Sequence, residues 1–360
     1  MNHKEKEKHG KRRRLLIIPG ILTGIFLLVI LTNLHTTKLV ISNLFPEKVK
    51  LDETADWDGG KSYENVQYSD VSASDYLHLY VPDSDSKVPL YIFVHGGGFF
   101  LGDPETRQAQ LFYRYVRDHG YAVATINYRL GSEAKYPAAI EDVKAAVRFL
   151  RANADQYGLD PDHFAVAGES AGGYLASMAA CTNDSEFSDV HFIGEDQLAA
   201  PVSGKVQALV DFYGCIEFYT FDDQFRELGI PKVVRKAANY WLSDITKGTG
   251  MTSVEEVWIG KPASEMTDEE RRSVAVTGYA KENLSQKSDL KAVILHGDAD
   301  LTVPYLQSSD FAQLLKAQLG DDKVSYRLFP GYGHAADGFY SSKTLDWVLA
   351  QVGFEENGNQ

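Results

Sequence analysis

Residues 163–178 read HFAVAGESAGGYLASM. Phe164 to Ala167 have the apolar character of a buried strand, Gly168 to Gly172 make a sharp turn of the form G-x-S-x-G, and a helix is expected from Gly173. A tight strand-to-helix turn strains the backbone and lifts a serine hydroxyl clear of the sheet, which is the geometry a nucleophile needs. Glycine at 168 and 172 leaves room where a Cβ would collide with the neighbouring strand or helix. The helix that follows directs its partial positive charge at Ser170. Five residues of this kind also occur in ordinary turns. The strand before them and the small residues after them (Ala171, Ala176, Ser177, Ala179, Ala180) give the motif its weight.

Working outward, strand and helix signals alternate on both sides. Strands are expected at Tyr63–Tyr68, Tyr76–Val81, Leu90–Val94, Tyr121–Tyr128, Val206–Tyr213, Leu290–Leu295 and Val324–Phe329. Helices are expected at Glu105–His119, Pro137–Tyr157, Pro304–Leu319 and from Asp337 to about Val352, with Ala139, Ile140, Val143, Val147, Leu150 and Ala154 recurring at helical spacing in the second. Strands separated by helices imply a largely parallel α/β sheet covered on both faces. Residues 214–288 break the rhythm. They hold short helical segments with two candidate capping boxes, Ser253 with Glu256 and Thr267 with Glu270, and many aromatics, and read as an inserted helical cap.

Two further loops carry chemistry. The first, His95-Gly96-Gly97-Gly98-Phe99, directly follows a buried strand. Three glycines in a row add nothing to packing, so they mark backbone that must approach something closely. Beside a nucleophilic serine, that is the oxyanion of a tetrahedral intermediate, with the N–H groups of Gly97, Gly98 and Ala171 as donors. His95 is read as a structural residue that holds this loop. Phe99 and Phe100, next to the glycines, are expected to wall a short acyl site. The second loop, His296-Gly297-Asp298-Ala299-Asp300, also follows a strand, and a carboxylate there can orient a histidine and stabilise its charged form. His334, in a Gly-rich loop after the last strand, is the only histidine beyond position 296. The other histidines read as structural or as flanks of the N-terminal apolar run.

With these motifs in hand, the chain resembles the α/β-hydrolase superfamily, and within it the hormone-sensitive-lipase-like and feruloyl-esterase-like (BD-FAE) serine esterases. The resemblance spans residues 63–352. It is carried by HGGGF (95–99), residues 136–176 with GESAGG, DFYG (211–214), HGDADLTVP (296–304) and GYGH (331–334). It implies an α/β-hydrolase fold, Ser170 as nucleophile, His334 as general base and acid, Asp300 as the orienting carboxylate, and Gly97, Gly98 and Ala171 as oxyanion donors. It implies no metal and no cofactor. The implied activity is hydrolysis of small to medium acyl esters. A serine peptidase of the prolyl-oligopeptidase type shares a similar elbow, but the HGGG loop favours esters. A non-catalytic relative of the fold would typically lack a member of the triad, and none is missing.

Charge and hydropathy divide the 360-residue chain unevenly. Eight of its 36 Lys/Arg and two of its 50 Asp/Glu lie in residues 1–38, leaving the rest with 20 more acidic than basic residues. A body that acidic repels nucleic acid. Two cysteines, Cys181 and Cys215, are too few for a disulfide framework and read as buried thiols. Residues 1–14 form a basic tail, and Leu15 to Leu34 is an uncharged, mostly apolar run of twenty residues, long enough to cross a bilayer. Seven Lys/Arg precede that run and only Lys38 closely follows it, so the expected arrangement is a single-pass anchor with a cytoplasmic N-terminus and an extracytoplasmic catalytic domain. Residues 35–60 read as a linker, 61–352 as the catalytic domain and 353–360 as a tail.

Overall fold

The computed structural model describes residues 39, 43, 48–50, 57–286 and 288–354. The expected membrane run, residues 15–34, and the basic tail lie outside the described residues. No helix among the described residues is long and apolar enough to cross a membrane.

Among the described residues, eight strands form one sheet: β1 (Gly60–Gln67), β2 (Tyr76–Pro82), β3 (Val88–Val94), β4 (Ala122–Ile126), β5 (Leu159–Glu169), β6 (Ala208–Phe212), β7 (Lys291–Gly297) and β8 (Val324–Phe329). Their spatial order is β1-β2-β4-β3-β5-β6-β7-β8. Strand β2 pairs antiparallel with both β1 and β4, and every pairing from β4 to β8 is parallel. The elbow strand β5 is therefore central, flanked by β3, which leads into the glycine loop, and by β6.

Consecutive residues of a strand face opposite sides, and β3 shows how this sequence uses that. Leu90, Ile92 and Val94 enter one core with Ile140, Val143 and Leu175, while Tyr91 and Phe93 enter the other with Phe112, Val116 and Leu345. The helices follow from this division. Helices α1 (Arg107–Asp118) and α5 (Ser342–Val352) cover one face, and α2 (Ala138–Ala152), α3 (Ala171–Cys181) and α4 (Leu306–Leu319) cover the other.

Two helices are shorter than periodicity suggests. Helix α2 ends at Ala152, where the Asn153 side chain donates to the Phe149 carbonyl; Ala154–Tyr157 is a separate turn. The last helix begins at Ser342, after a 3₁₀ turn at Asp337–Tyr340. There the Asp337 carboxylate is engaged by the Arg107 guanidinium at 2.6 Å and by the backbone N–H of Val49 at 3.0 Å. Helix α3 begins at Ala171 rather than Gly173.

Between β6 and β7 the chain forms short helices, among them Phe221–Glu227, Lys232–Ala238, Val254–Ile259, Asp268–Ser273 and Val276–Asn283. Thr267 and Glu270 form a complete capping box. At the second candidate, Ser253 accepts from the Glu256 N–H at 3.2 Å, but the Glu256 carboxylate binds the N–H groups of Thr252 and Ala263 instead of reaching back to Ser253. Both cysteines are buried free thiols.

Candidate active site

The elbow places Ser170 at φ 52° and ψ −119°, a left-handed conformation that a non-glycine residue adopts only under constraint. The constraint comes from close backbone packing. The Ser170 N–H donates to the Phe212 carbonyl of β6 at 2.9 Å. A Cβ on Gly168 would drive into the Gly172 carbonyl, and one on Gly172 into the Val94 carbonyl at the end of β3.

His334 and Asp300 arrive from loops 164 and 130 residues further on in sequence and meet Ser170 in a line. His334 Nε2 is 2.9 Å from Ser170 Oγ, and His334 Nδ1 is 2.7 Å from Asp300 Oδ2. Asp300 Oδ1 accepts the N–H groups of Thr302 and Val303 at 2.8 and 2.9 Å. Burial of Asp300 opposes ionisation, but the adjacent His334 and the hydrogen bonds from His296 and His334 outweigh it and hold the carboxyl well below the usual range. An ionised carboxylate only accepts hydrogen bonds, so Nδ1 of His334 carries the proton and Nε2 presents its lone pair to the Ser170 hydroxyl. For His334, burial favours the neutral ring, yet the charge and hydrogen bond of Asp300, with Glu169 nearby, raise its pKa above the ordinary value. Asp298, two residues away, takes a different role: its Oδ1 accepts the Gly331 N–H at 2.6 Å.

The glycine loop lies directly against the elbow. A Cβ on Gly96 would be 3.2 Å from Ser170 Cβ. Gly97 has φ +114° and Gly98 φ +60°, and a Cβ on Gly97 would run into the Leu101 carbonyl. Among the described residues, the N–H groups of Gly97 and Gly98 have no acceptor, whereas the Gly97 carbonyl takes both Phe100 N–H and Leu101 N–H. His95 holds the loop: Nδ1 lies 2.8 Å from the Gly96 carbonyl, Nε2 lies 3.3 Å from Asn127 Oδ1, and the ring stacks on Tyr128.

Phe99 does not wall the site. Its ring is fully buried and stacks on Trp258 of the cap, with centroids 3.9 Å apart. Phe100 packs over Gly131, with the Lys135 ammonium 5.2 Å from its centroid. The side chains beside Gly98 come from the cap: Leu242 and Val254 each lie 3.5 Å from where a Gly98 Cβ would stand.

Three further groups around the site were given no role by the sequence, although Glu169 and His296 lie within the GESAGG and HGDADLTVP motifs. Glu169 is buried beside the serine and accepts from Tyr213 Oη at 2.6 Å, and the Tyr213 ring stands 5.0 Å from that of His334. Burial pushes the Glu169 carboxyl above its ordinary range, against the opposing hydrogen bonds from Tyr213 and Gly96. His296 stands 3.2 Å from Asp300 Oδ2 and 3.1 Å from the Val303 carbonyl through Nε2, with Ser308 Oγ at 2.7 Å from Nδ1. Two acceptors at Nε2 fix the proton there. Asn43, in the stretch expected to be a linker, donates to the Ala299 carbonyl at 2.6 Å, and its Oδ1 is 2.6 Å from where a Gly333 Cβ would stand. It thus touches the loops bearing both Asp300 and His334. Nearby, Leu39 is buried among Phe225, Ile230, Val234, Ala299 and Leu301.

A strained serine elbow between two glycines, a histidine and carboxylate in line with it, and a glycine loop alongside define a serine hydrolase of the α/β-hydrolase fold. Residues 77–315, well over half of the chain, match the BD-FAE family, and the chain belongs to that family. It is 26% identical over 290 residues to the probable carboxylic ester hydrolase LipM of Mycobacterium tuberculosis, covering 79% of this chain and 59% of LipM. It is 39% identical over 118 residues to the acetyl esterase of Salmonella typhi, covering 32% of this chain and 34% of that enzyme. The chain thus matches little more than half of LipM and about a third of the acetyl esterase. A truncated carbohydrate esterase from gut microbiota shares the fold with a TM-score of 0.62 at 24% identity, over 82% of this chain and 98% of that one.

Proposed function

We propose that the chain is a serine carboxylic-ester hydrolase acting on short acyl esters, with Ser170, His334 and Asp300 as its triad and Gly97, Gly98 and Ala171 as oxyanion donors. The observation that carries this reading is the continuous line from Asp300 through His334 to Ser170, at 2.7 and 2.9 Å. In the first half-reaction Ser170 Oγ attacks the ester carbonyl as its proton passes to His334 Nε2, and Asp300 stabilises the imidazolium. The carbonyl oxygen, now negative, takes the free amides of the glycine loop. Each such donor contributes about 2.7–4 kcal/mol of transition-state stabilisation. The tetrahedral intermediate collapses with proton transfer from His334 to the departing alcohol. Water then repeats the sequence on the acyl-serine and releases the acid.

The short acyl preference is supported by Leu242 and Val254, which crowd the glycine loop from above, and by the acetyl esterase among the relatives. The alcohol portion is a small molecule, and neither nucleic acid nor cofactor has a part in this reading. The apolar run at 15–34 supports a single-pass membrane protein whose catalytic domain, residues 61–352, lies outside the cytoplasm. A series of nitrophenyl esters tests the acyl site. The expected result is highest kcat/KM from acetyl to butyryl; a kcat/KM that climbs out to dodecanoyl contradicts it.

A further inference from the structure

The cap turns an apolar face to the outside. Val233, Tyr240 and Trp241 are 57%, 76% and 52% exposed, and Lys236 and Ala237 between them are exposed as well. Val233, Lys236 and Ala237 share one face of the helix Lys232–Ala238 by their i, i+3, i+4 spacing, and Tyr240 and Trp241 follow in the 3₁₀ turn Tyr240–Leu242. The opposite side of the same segment is buried, with Val234 in the cluster that contains Leu39, Ala299 and Leu301.

Where the chain goes from this cluster indicates what covers the face. Leu39 is five residues from Leu34, the end of the apolar run, so the two α-carbons are at most about 18 Å apart even with the chain fully extended. If the run crosses a bilayer, its surface lies within that reach of the cap. The same segment also meets the active site: Asn239 donates to the Leu301 carbonyl at 2.8 Å, and Leu242 stands over Gly98. Tryptophan and tyrosine favour the lipid headgroup layer, where an apolar ring and a polar edge are both satisfied, and lysine keeps its charge at the surface.

We propose that the face formed by Val233, Ala237, Tyr240 and Trp241, with Lys236, rests on the bilayer that residues 15–34 enter, so that the enzyme takes esters borne by the membrane. The substrate class is an amphiphilic ester whose alcohol part stays in the lipid interface while a short acyl group passes beneath Leu242 and Val254. This rests on the membrane-anchor reading given above.

The test uses the full-length chain in phosphatidylcholine vesicles, with and without brominated acyl chains. None of the four tryptophans lies in residues 1–38, Trp258 is buried in the core, and Arg117 and Arg327 cover Trp57 and Trp347. Bromolipid should quench a blue-shifted component of the wild-type emission that is absent from Trp241→Phe. Equal quenching in the two proteins overturns the proposal. So does a Trp241 shielded from aqueous iodide yet untouched by bromolipid, which would assign the face to a second copy of the chain. A full-length protein that does not stay with the vesicles overturns the anchor itself, whereas an anchored protein with unquenched Trp241 overturns only the docking. In Tyr240→Ser/Trp241→Ser, the ratio of activity on a vesicle-borne acetyl ester of a long-chain alcohol to that on dissolved nitrophenyl acetate should fall about tenfold or more. An unchanged ratio counts against the proposal.

Discussion

Asn43 reaches across 256 residues of sequence to donate a hydrogen bond to Ala299, the residue before Asp300, at 2.6 Å. Its side-chain oxygen fills the space beside Gly333, the residue before His334. One amide therefore bridges the two loops that bear Asp300 and His334. Asn43→Ala should lower Tm by about 2–4 °C for the roughly 1 kcal/mol a hydrogen bond contributes. It should also reduce kcat more than it raises KM. Gly333→Ala should be damaging in the wild type and milder in the Asn43→Ala background, where the clash is gone; strictly additive effects would show that the contact is idle. For the same reason a soluble form beginning at residue 36 should be more stable and more active than one beginning at residue 46.

The two carboxylates of the 296–300 loop should separate cleanly by kinetics. In Asp300→Asn the amide oxygen stays with the Thr302 and Val303 N–H groups, so the NH2 takes the place of Oδ2 against His334 and imposes the wrong tautomer, which should cost about 10⁴ in kcat. Asp298→Asn keeps an oxygen for the Gly331 N–H and should cost no more than about tenfold. The opposite ranking would reassign the orienting role to Asp298.

The acid limb of kcat/KM should lie above the ordinary imidazole value of about 6.5, because Asp300 favours the charged ring and His334 must be neutral to accept the serine proton. In the residual activity of Asp300→Asn the limb should move to lower pH. The stability consequence has the opposite sense. A raised His334 pKa stabilises the fold fully below about pH 6.5, and that contribution is lost as pH rises through the higher folded value. A limb below 6.5 in the wild type would mean that burial, not Asp300, governs the ring.

Asp211 gives a second pH test, away from the chemistry. It is buried in β6, where burial raises its pKa to about 7 despite the hydrogen bond from the Gly214 N–H at 2.9 Å. An acid whose folded pKa is raised costs stability as pH climbs from its unfolded value to the folded one. Asp211→Asn keeps the acceptor and removes the charge. It should raise Tm at pH 8 and have little effect at pH 4; equal effects at both would show that the charge is not the cause.

Much of this molecule was legible in its sequence because the informative residues are local. The sheet strands carry apolar runs or alternation that periodicity detects, and the serine elbow and glycine loop are contiguous motifs whose glycines have steric reasons in the packing around them. Position after a strand also singled out Asp300 and His334, which the fold brings within hydrogen-bond reach of each other. What was not legible is long-range. Phe99 follows the three glycines of the 95–99 loop in sequence, but its ring stacks on Trp258 of the cap and is buried in the core. Asn43 sits in a polar stretch with no periodicity, and only the folded chain sets it between Ala299 and Gly333. The last helix starts only at Ser342, and Asp337, in the turn before it, is held by Arg107 from 230 residues earlier in the chain.

Active-site labelling decides whether Ser170 is the nucleophile. The full-length protein is treated with a fluorophosphonate and its modified peptide identified by mass spectrometry. Modification is expected at Ser170 alone, with loss of ester hydrolysis in step with labelling. Ser170→Ala should remain unlabelled and retain at most the roughly 10³–10⁴-fold rate over water that an oxyanion hole supplies without its nucleophile. Labelling of a different serine in the unmodified protein, or near-full activity in Ser170→Ala, would contradict the assignment.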